Sequence, residues 1–253
     1  MNYDLIVSIV TYNSNLNDVL NLSNSLDSIK KLKIKTIIAD NFSNNDYYQS
    51  LLLESKSIVV STGKNSGYGK ANNFVDRISP QSKYFLVLNP DIKITPENIY
   101  QLYEFMENNN NYALIGPILK TKENKYYNIF RDNFDFFYMF KRWLFKIDDT
   151  LHEQDFKNQI DNYSNIIDVK YISGSFMFFR REIFSKLGGF NNKFFMYFED
   201  IEICDYIRKH NHDIGLLKSV QVEHLRNRGS YKKISLFIHH FTSWIVYKFF
   251  KRS

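Results

Sequence analysis

Four short apolar runs, 5–10, 34–39, 57–60 and 84–88, punctuate the first part of the chain. Between them lie stretches with helical spacing, such as Leu16, Val19, Leu20 and Ser23, and then residues 68–78. Buried strands alternating with helical segments build βαβ units around a parallel sheet, so the expected fold class is α/β. Thr95-Pro96-Glu97-Asn98 opens a further helix, with Thr95 as N-cap and Pro96 in its first position; the Asn-rich tract 108–111 ends it.

The second half is less regular. Residues 134–145 are crowded with aromatics and 148–165 are polar, so 120–168 is expected to be a variable insertion over one side of the sheet. Residues 171–179 read as a strand with a Gly-Ser interruption, 188–190 as a turn, and 199–210 as a helix with Ile201, Cys204, Ile207 and Arg208 on one face. With no repeat and no flexible linker, the expectation is one domain over 1–230 and a basic amphipathic helix over 231–253.

Composition sets outer bounds. A chain of 253 residues, 44% hydrophobic, supports a sizeable core, and 17% aromatic content excludes disorder as the main state. The single cysteine, Cys204, excludes a disulfide scaffold and a cysteine-built zinc site, and fits a reducing compartment. Met1-Asn2-Tyr3-Asp4 lacks a basic leader, and no apolar run reaches the roughly 18 residues of a membrane span, so a cytoplasmic address is expected. Seven of the 33 Lys and Arg residues follow Glu223, where Asp and Glu are absent; the 26 that precede face all 27 acids. A neutral body with a basic tail argues against nucleic acid as partner and for a local anionic surface.

In an open parallel sheet, ligands bind beyond the carboxyl ends of the strands. Those ends here are Thr11-Tyr12-Asn13, Asp40-Asn41, the run Gly63 to Gly69, and Asn89-Pro90-Asp91. All are polar. Each could be an ordinary turn, but together they define a crevice. A P-loop is excluded because Gly69-Lys70 is followed by Ala71, and no third glycine follows Gly67 and Gly69 in the register of a dinucleotide fingerprint. Asp91 at the lip suits Mg2+ or Mn2+ held mostly by substrate phosphates and water. Glu199-Asp200 at a helix start are either acids favoured by the helix dipole or a general base aimed into the crevice. His224 closes a short apolar run, where a lone histidine is more often structural.

In this order, Thr11-Tyr12-Asn13, Asp40-Asn41-Phe42-Ser43, Asn65-Ser66-Gly67-Tyr68-Gly69 with Asn72, Asn89-Pro90-Asp91, Gly174-Ser175-Phe176-Met177, Gly188-Gly189-Phe190 and the run Phe194 to Cys204 resemble family 2 glycosyltransferases of the GT-A fold. The resemblance covers about residues 3–230. It is nearest to the bacterial rhamnosyltransferase branch, which includes enzymes of O-antigen and cell-wall assembly. It implies a mixed, mostly parallel sheet flanked by helices. It also implies that Thr11, Tyr12, Asn13 and Asp40 hold the nucleoside, with Asn65, Gly67, Asn72, Asn89 and Asp91 completing the nucleotide-sugar site. Asp200 matches the catalytic base, and Gly174, Ser175 and Glu199 fall on the acceptor side. Asp91 and His224 would hold Mg2+ or Mn2+, although Asn89 replaces the first acid of the family's Asp-x-Asp motif. Gly229 and Ser230 fall in the diphosphate-facing loop, with Arg226 and Arg228 nearby.

The implied activity is inverting transfer of a sugar, L-rhamnose from dTDP-L-rhamnose first, to a glycan or a polyprenyl-diphosphate-linked saccharide. The alternatives are a UDP-sugar donor, or a non-catalytic partner of the same fold. A nucleotidyltransferase is disfavoured because no basic Gly-rich triphosphate loop is present. In the tail, Ile234, Phe237, Ile238, Phe241, Trp244, Ile245 and Phe249 recur at helical spacing among basic residues. That pattern suits a helix lying on an anionic membrane, and places the protein at the inner face of a bacterial plasma membrane. A terminal helix docked on the sheet, or a dimer contact, is the competing reading.

Overall fold

The computed structural model describes residues 3–129, 141, 144, 145, 150–225 and 234–252. The apolar runs become parallel strands because they can be buried on both faces. Strand β1 (Tyr3–Thr11) has Leu5, Ile6, Val7 and Ile9 fully buried. Its alternate residues split between two cores: Ile6 lies in one, Leu5, Val7 and Ile9 in the other. After helix α1 (Leu16–Asp27) comes β2 (Ile34–Asp40), and after α2 (Asn45–Glu54) comes β3 (Ile58–Ser61). Helix α3 (Tyr68–Ile78) leads to β4 (Ser82–Leu88). These four strands pair parallel in the order β3-β2-β1-β4.

Strand β5 (Ile92–Lys93) precedes α4 (Pro96–Asn108), whose Thr95 and Asn98 form the capping box with Pro96 at its start. Then follow β6 (Tyr112–Lys120), β7 (Tyr126–Tyr127), β8 (Thr150–Leu151), α5 (Glu153–Ile160), β9 (Ile166–Asp168), β10 (Phe176–Arg180), α6 (Arg181–Lys186), α7 (Glu199–Lys209), β11 (Asp213–His224) and α8 (Ile234–Phe250). The sheet continues from β4 as β10-β6-β11-β5. Strand β10 is antiparallel to both its neighbours, while β6 and β11 are parallel. Helices α1, α2 and α4 cover one face, and α3, α6 and α7 the other. The architecture is thus mixed α/β with a mostly parallel centre.

Several expectations change in detail. The strand expected over 171–179 begins only at Phe176, because Ser173 to Phe176 form a turn closed by the Phe176 amide on the Ser173 carbonyl. The insertion is partly built into the sheet: β7 pairs with β6, β9 with β11, and Phe156 stacks on Tyr126 at 4.5 Å. Most of the aromatic segment 134–145 lies outside the described residues.

Helix α8 packs on the domain rather than standing away from it. Trp244, Val246 and Tyr247 lie against Phe194, Phe198 and Ile201. Trp244 therefore faces inward, contrary to an interfacial stripe that includes it. Ile238, Phe241, Phe249 and Phe250 stay exposed. The side chains of Ile234 and Phe237 lie outside the described residues.

Candidate active site

Register alone brings the strand ends together: Thr11 pairs with Asp40, and Asp40 with Ser61. Asp40 is buried. Its Oδ2 accepts the Ser43 amide at 3.1 Å, and its Oδ1 has no hydrogen-bond partner. A buried acceptor without a donor is costly, so this oxygen is suited to an N–H brought by a ligand. Tyr12, which follows the Asp40 partner Thr11, and Phe42, two residues after Asp40, are exposed, Phe42 with a left-handed φ of 72°. Asn13 is exposed, but its side-chain oxygen Oδ1 is turned onto the neighbouring loop. That oxygen accepts the Asn44 amide at 2.9 Å and the Asn44 side chain at 2.8 Å, so Asn13 fastens the loop after β2. Thr11 Oγ1 lies 2.6 Å from the hydroxyl of Tyr47, a residue of α2 that the sequence reading missed. Burial raises the Tyr47 pKa, the Thr11 bond lowers it, and the Asp40 charge raises it further. The available signal was Asn44, which caps α2 by accepting the Tyr47 amide at 2.9 Å.

The next loop is tied from within. Asn65 Oδ1 accepts from the Asn41 side chain at 3.0 Å and from the Gly67 amide at 3.2 Å. Gly67 has φ 94°, and a Cβ there would lie 2.0 Å from the Phe195 carbonyl oxygen. Its glycine identity serves the approach of the 195–198 segment. Asn72 was expected to line the sugar-nucleotide pocket, but it is wholly buried. Its Oδ1 accepts from Ser8 at 2.7 Å and its Nδ2 donates to the Tyr68 carbonyl at 3.0 Å. Asn72 therefore bolts α3 to β1, with both amide ends engaged by protein.

Asp91 follows β4, and β5 pairs antiparallel with the end of β11, His224 opposite Ile92. This brings His224 Nε2 to 3.2 Å from Asp91 Oδ1, and the Leu225 amide to the Asp91 carbonyl at 2.8 Å. The His224 ring leans on Tyr127 at 5.9 Å. Among the described residues no group of three or more His, Cys, Asp or Glu is arranged to hold a metal. The Asp91–His224 pair brings one carboxylate oxygen and one imidazole nitrogen within 3.2 Å of each other. That set fits Mg2+ or Mn2+ when diphosphate oxygens and water complete the shell. The Asn89 amide donates to the Ser175 carbonyl at 2.9 Å, extending the β4–β10 pairing to the lip of the crevice.

Asp200 sits in the first turn of α7. Its Oδ2 accepts the Gly174 amide and its Oδ1 the Ile201 amide, each at 2.9 Å. The Gly174 carbonyl in turn accepts the Tyr68 hydroxyl at 2.8 Å. That hydroxyl is held well above its ordinary pKa, by burial first and then by the Glu199 charge. The Asn72 hydrogen bond opposes this, and the Asp200 and Asp91 charges add to it. Tyr68 therefore lies near the carboxyl groups of Glu199, Asp200 and Asp91, and links α3 through Gly174 to Asp200. Ser175 is buried, with its hydroxyl 2.9 Å from that of Ser173.

Glu199 departs from the acceptor-contact expectation. It is buried, and its Oε2 has no hydrogen-bond partner. Burial, and then the Asp200 charge, push its carboxyl up to about 8, with a backbone hydrogen bond opposing. It thus holds a proton at neutral pH beneath Asp200, which is itself partly exposed. Arg226, Arg228, Gly229 and Ser230 lie outside the described residues.

Comparison with known proteins agrees with this geometry. The model of glycosyl transferase family 2 matches residues 6–188. The chain is 29% identical over 226 residues to the low-salt glycan biosynthesis hexosyltransferase Agl10 of Haloferax volcanii, covering 87% of this chain and 67% of that protein. It is 23% identical over 207 residues to an N-acetylglucosaminyl-diphospho-decaprenol L-rhamnosyltransferase of Mycobacterium tuberculosis, covering 73% of this chain and 64% of that one. Among solved structures, GalNAc-T7 with UDP, GalNAc and Mn2+ superposes with a TM-score of 0.64 at 13% identity, over 88% of this chain and 44% of that one. The chain thus spans about two thirds or less of the length of each.

Proposed function

The chain belongs to glycosyl transferase family 2, and from that premise we propose that it is an inverting hexosyltransferase. The proposed donor is dTDP-L-rhamnose, and the proposed acceptor a hydroxyl of a glycan or polyprenyl-diphosphate-linked saccharide in bacterial cell-surface polysaccharide synthesis, O-antigen included. One observation carries the reading: a partly exposed carboxylate, Asp200, is fixed on the Gly174 amide at the same crevice as the Asp91–His224 pair. The L-rhamnosyltransferase likeness supports the sugar. The buried, unpartnered Asp40 oxygen suits the imide N–H that thymine and uracil share, so a UDP-hexose donor is the second reading.

An acceptor hydroxyl is a weak nucleophile near neutral pH. Asp200 would take its proton as the oxygen attacks the anomeric carbon from the face opposite the nucleoside diphosphate. A single displacement through an oxocarbenium-like state inverts that carbon. Glu199, kept neutral, limits the negative charge beside Asp200. When bound between Asp91 and His224, a divalent cation supplies positive charge to the departing diphosphate.

The proposed location is the cytoplasmic face of the plasma membrane. Exposed Ile238, Phe241, Phe249 and Phe250 on α8, with Lys248 and Lys251 beside them, support contact with anionic lipid. Replacing Phe241, Phe249 and Phe250 by Ser should release the protein from phosphatidylglycerol vesicles.

The deciding experiment for the chemistry is Asp200→Asn, assayed for sugar release from dTDP-L-rhamnose and UDP-hexoses with a lipid-linked GlcNAc acceptor. Turnover should fall by about a thousandfold or more while dTDP binding persists. Undiminished turnover would remove Asp200 from the base role.

A further inference from the structure

Tyr197 and Phe198 both occupy left-handed backbone, at φ 70° and 65°, directly before Glu199 and Asp200. Bulky L residues rarely adopt this conformation singly, and two in succession persist only where neighbours hold them. On one side the bend rests on α3, where the Tyr68 amide donates to the Phe195 carbonyl at 3.0 Å. On the other side it rests on α8. Ser243, itself buried, donates its hydroxyl to the Met196 carbonyl at 2.7 Å. The His240 ring stacks on Tyr197 with centroids 3.5 Å apart and planes 13° from parallel. His239 lies 4.8 Å from the Phe195 ring and Tyr247 5.5 Å from Phe198.

The far end of α8 is fixed to α7 itself. The Tyr247 hydroxyl meets Asp205 at 2.6 Å, and Arg252 makes a two-pronged contact with Glu202. The helix therefore spans from the bend to the body of α7, and the first turn between these anchors carries Asp200. The Asp200 carboxylate is aimed by two amides, Gly174 and Ile201; the Ile201 bond lies within the first turn of α7, whereas the Gly174 bond leaves the helix, so α7 cannot turn without changing it.

We propose that Ser243 and His240 of α8 are positioning residues: they hold the left-handed Tyr197–Phe198 pair and through it set where Asp200 presents its carboxylate. The proposal rests on the reading of Asp200 as the base. It gives the C-terminal helix a part in transfer that is separate from any lipid contact, since the inner face of α8 braces the site while the outer face remains exposed.

The test uses the full chain with Ser243→Ala, His240→Ala and His240→Phe, the last keeping a flat ring over Tyr197. Amide hydrogen exchange is read by NMR at Gly174 and Ile201, with Val7 in the central strand as reference. Both alanine variants should speed exchange at Gly174 and Ile201 by about fivefold, as expected for loss of one hydrogen bond or ring contact, with Val7 unchanged and His240→Phe restored. Sugar transfer from dTDP-L-rhamnose or a UDP-hexose should fall in kcat, with donor KM unchanged and again recovered by His240→Phe. Exchange that is unchanged at both amides, or faster at all three, overturns the proposal. If Ser243→Ala does not fold, the two His240 variants decide alone. If the wild type transfers nothing from either donor, the functional reading fails, and exchange still decides whether α8 braces the bend.

Discussion

Removing the Arg252 guanidinium is expected to cost about 3 kcal/mol of folding stability. Glu202 on α7 is 1% exposed at its side chain and Arg252 21%. The guanidinium donates from Nε to Oε1 at 2.9 Å and from Nη2 to Oε2 at 2.7 Å. Its Nη1 also serves the carbonyls of Leu187 and Gly189, at 2.8 and 2.9 Å. In Arg252→Ala, Glu202 keeps the Asn191 side chain at 3.0 Å and the residue 252 amide at 3.0 Å, but loses its counter-charge. Breaking a buried pair from one side costs about 3–5 kcal/mol because the remaining ion stays desolvated. The partial exposure of Arg252 and the surviving bonds favour the lower end. At about 2–4 °C per kcal/mol for a chain of this size, the melting point should drop by roughly 6–12 °C. Urea unfolding at pH 7, with equal slopes for both proteins, measures the difference. A loss below about 1 kcal/mol would show that Glu202 is rehydrated without cost and that the pair does not hold α8. The double variant with Glu202→Gln should recover part of the loss, giving the coupling directly.

Glu199 titrates higher when folded than its ordinary 4.5, up to about 8, so the folded chain holds an extra proton in that window and loses stability as pH rises through it. Glu199→Gln should flatten this fall, with the gain over wild type larger at pH 8 than at pH 5; parallel stability curves would refute the burial argument. Gly67→Ala forces a Cβ within 2.0 Å of the Phe195 oxygen at φ 94°, and should destabilise by at least about 2 kcal/mol in the same urea assay. A neutral result would mean the 195–198 segment yields freely. Calorimetric titration with dTDP, UDP and GDP, with and without Mn2+, should show metal-enhanced binding of one nucleotide. Asp91→Asn or His224→Ala should erase that enhancement by about tenfold or more, and enhancement that survives both changes would place the metal elsewhere.

Strands β1 to β4 were legible because parallel strands covered on both faces leave unbroken apolar runs, with polar ends such as Thr11 and Asp40 marking where the sheet stops. Helix α2 was not, since Leu51 is its one buried side chain and so little helical period shows. Strand β11 was also obscured. Its apolar run is broken by Lys218, Ser219 and Gln221, where the pairing with β6 shifts register. The Asp91–His224 approach came from family likeness, because no local pattern joins positions so far apart. The roles of Tyr47 and Tyr68, and the burial of Glu199, are tertiary facts set by neighbouring elements. For α8, apolar residues occupy more than one face, so spacing alone could not say whether Trp244 turns in or out.

The short strand β5 closes on the last residues of β11, and its side-chain pair Lys93–Glu223 lies 130 residues apart in sequence. This has a consequence for synthesis. At roughly 5–20 residues per second, about 6–26 seconds separate emergence of the two partners from the ribosome. Strands β1 to β4 lie within residues 3–88 and are complete before that interval begins, whereas the α7 carboxylates and His224 come only towards its end. Loop closure on this scale is slow and comes late in folding. The side of the sheet that carries Asp91 would thus be closed only once the last residues of β11 have been made.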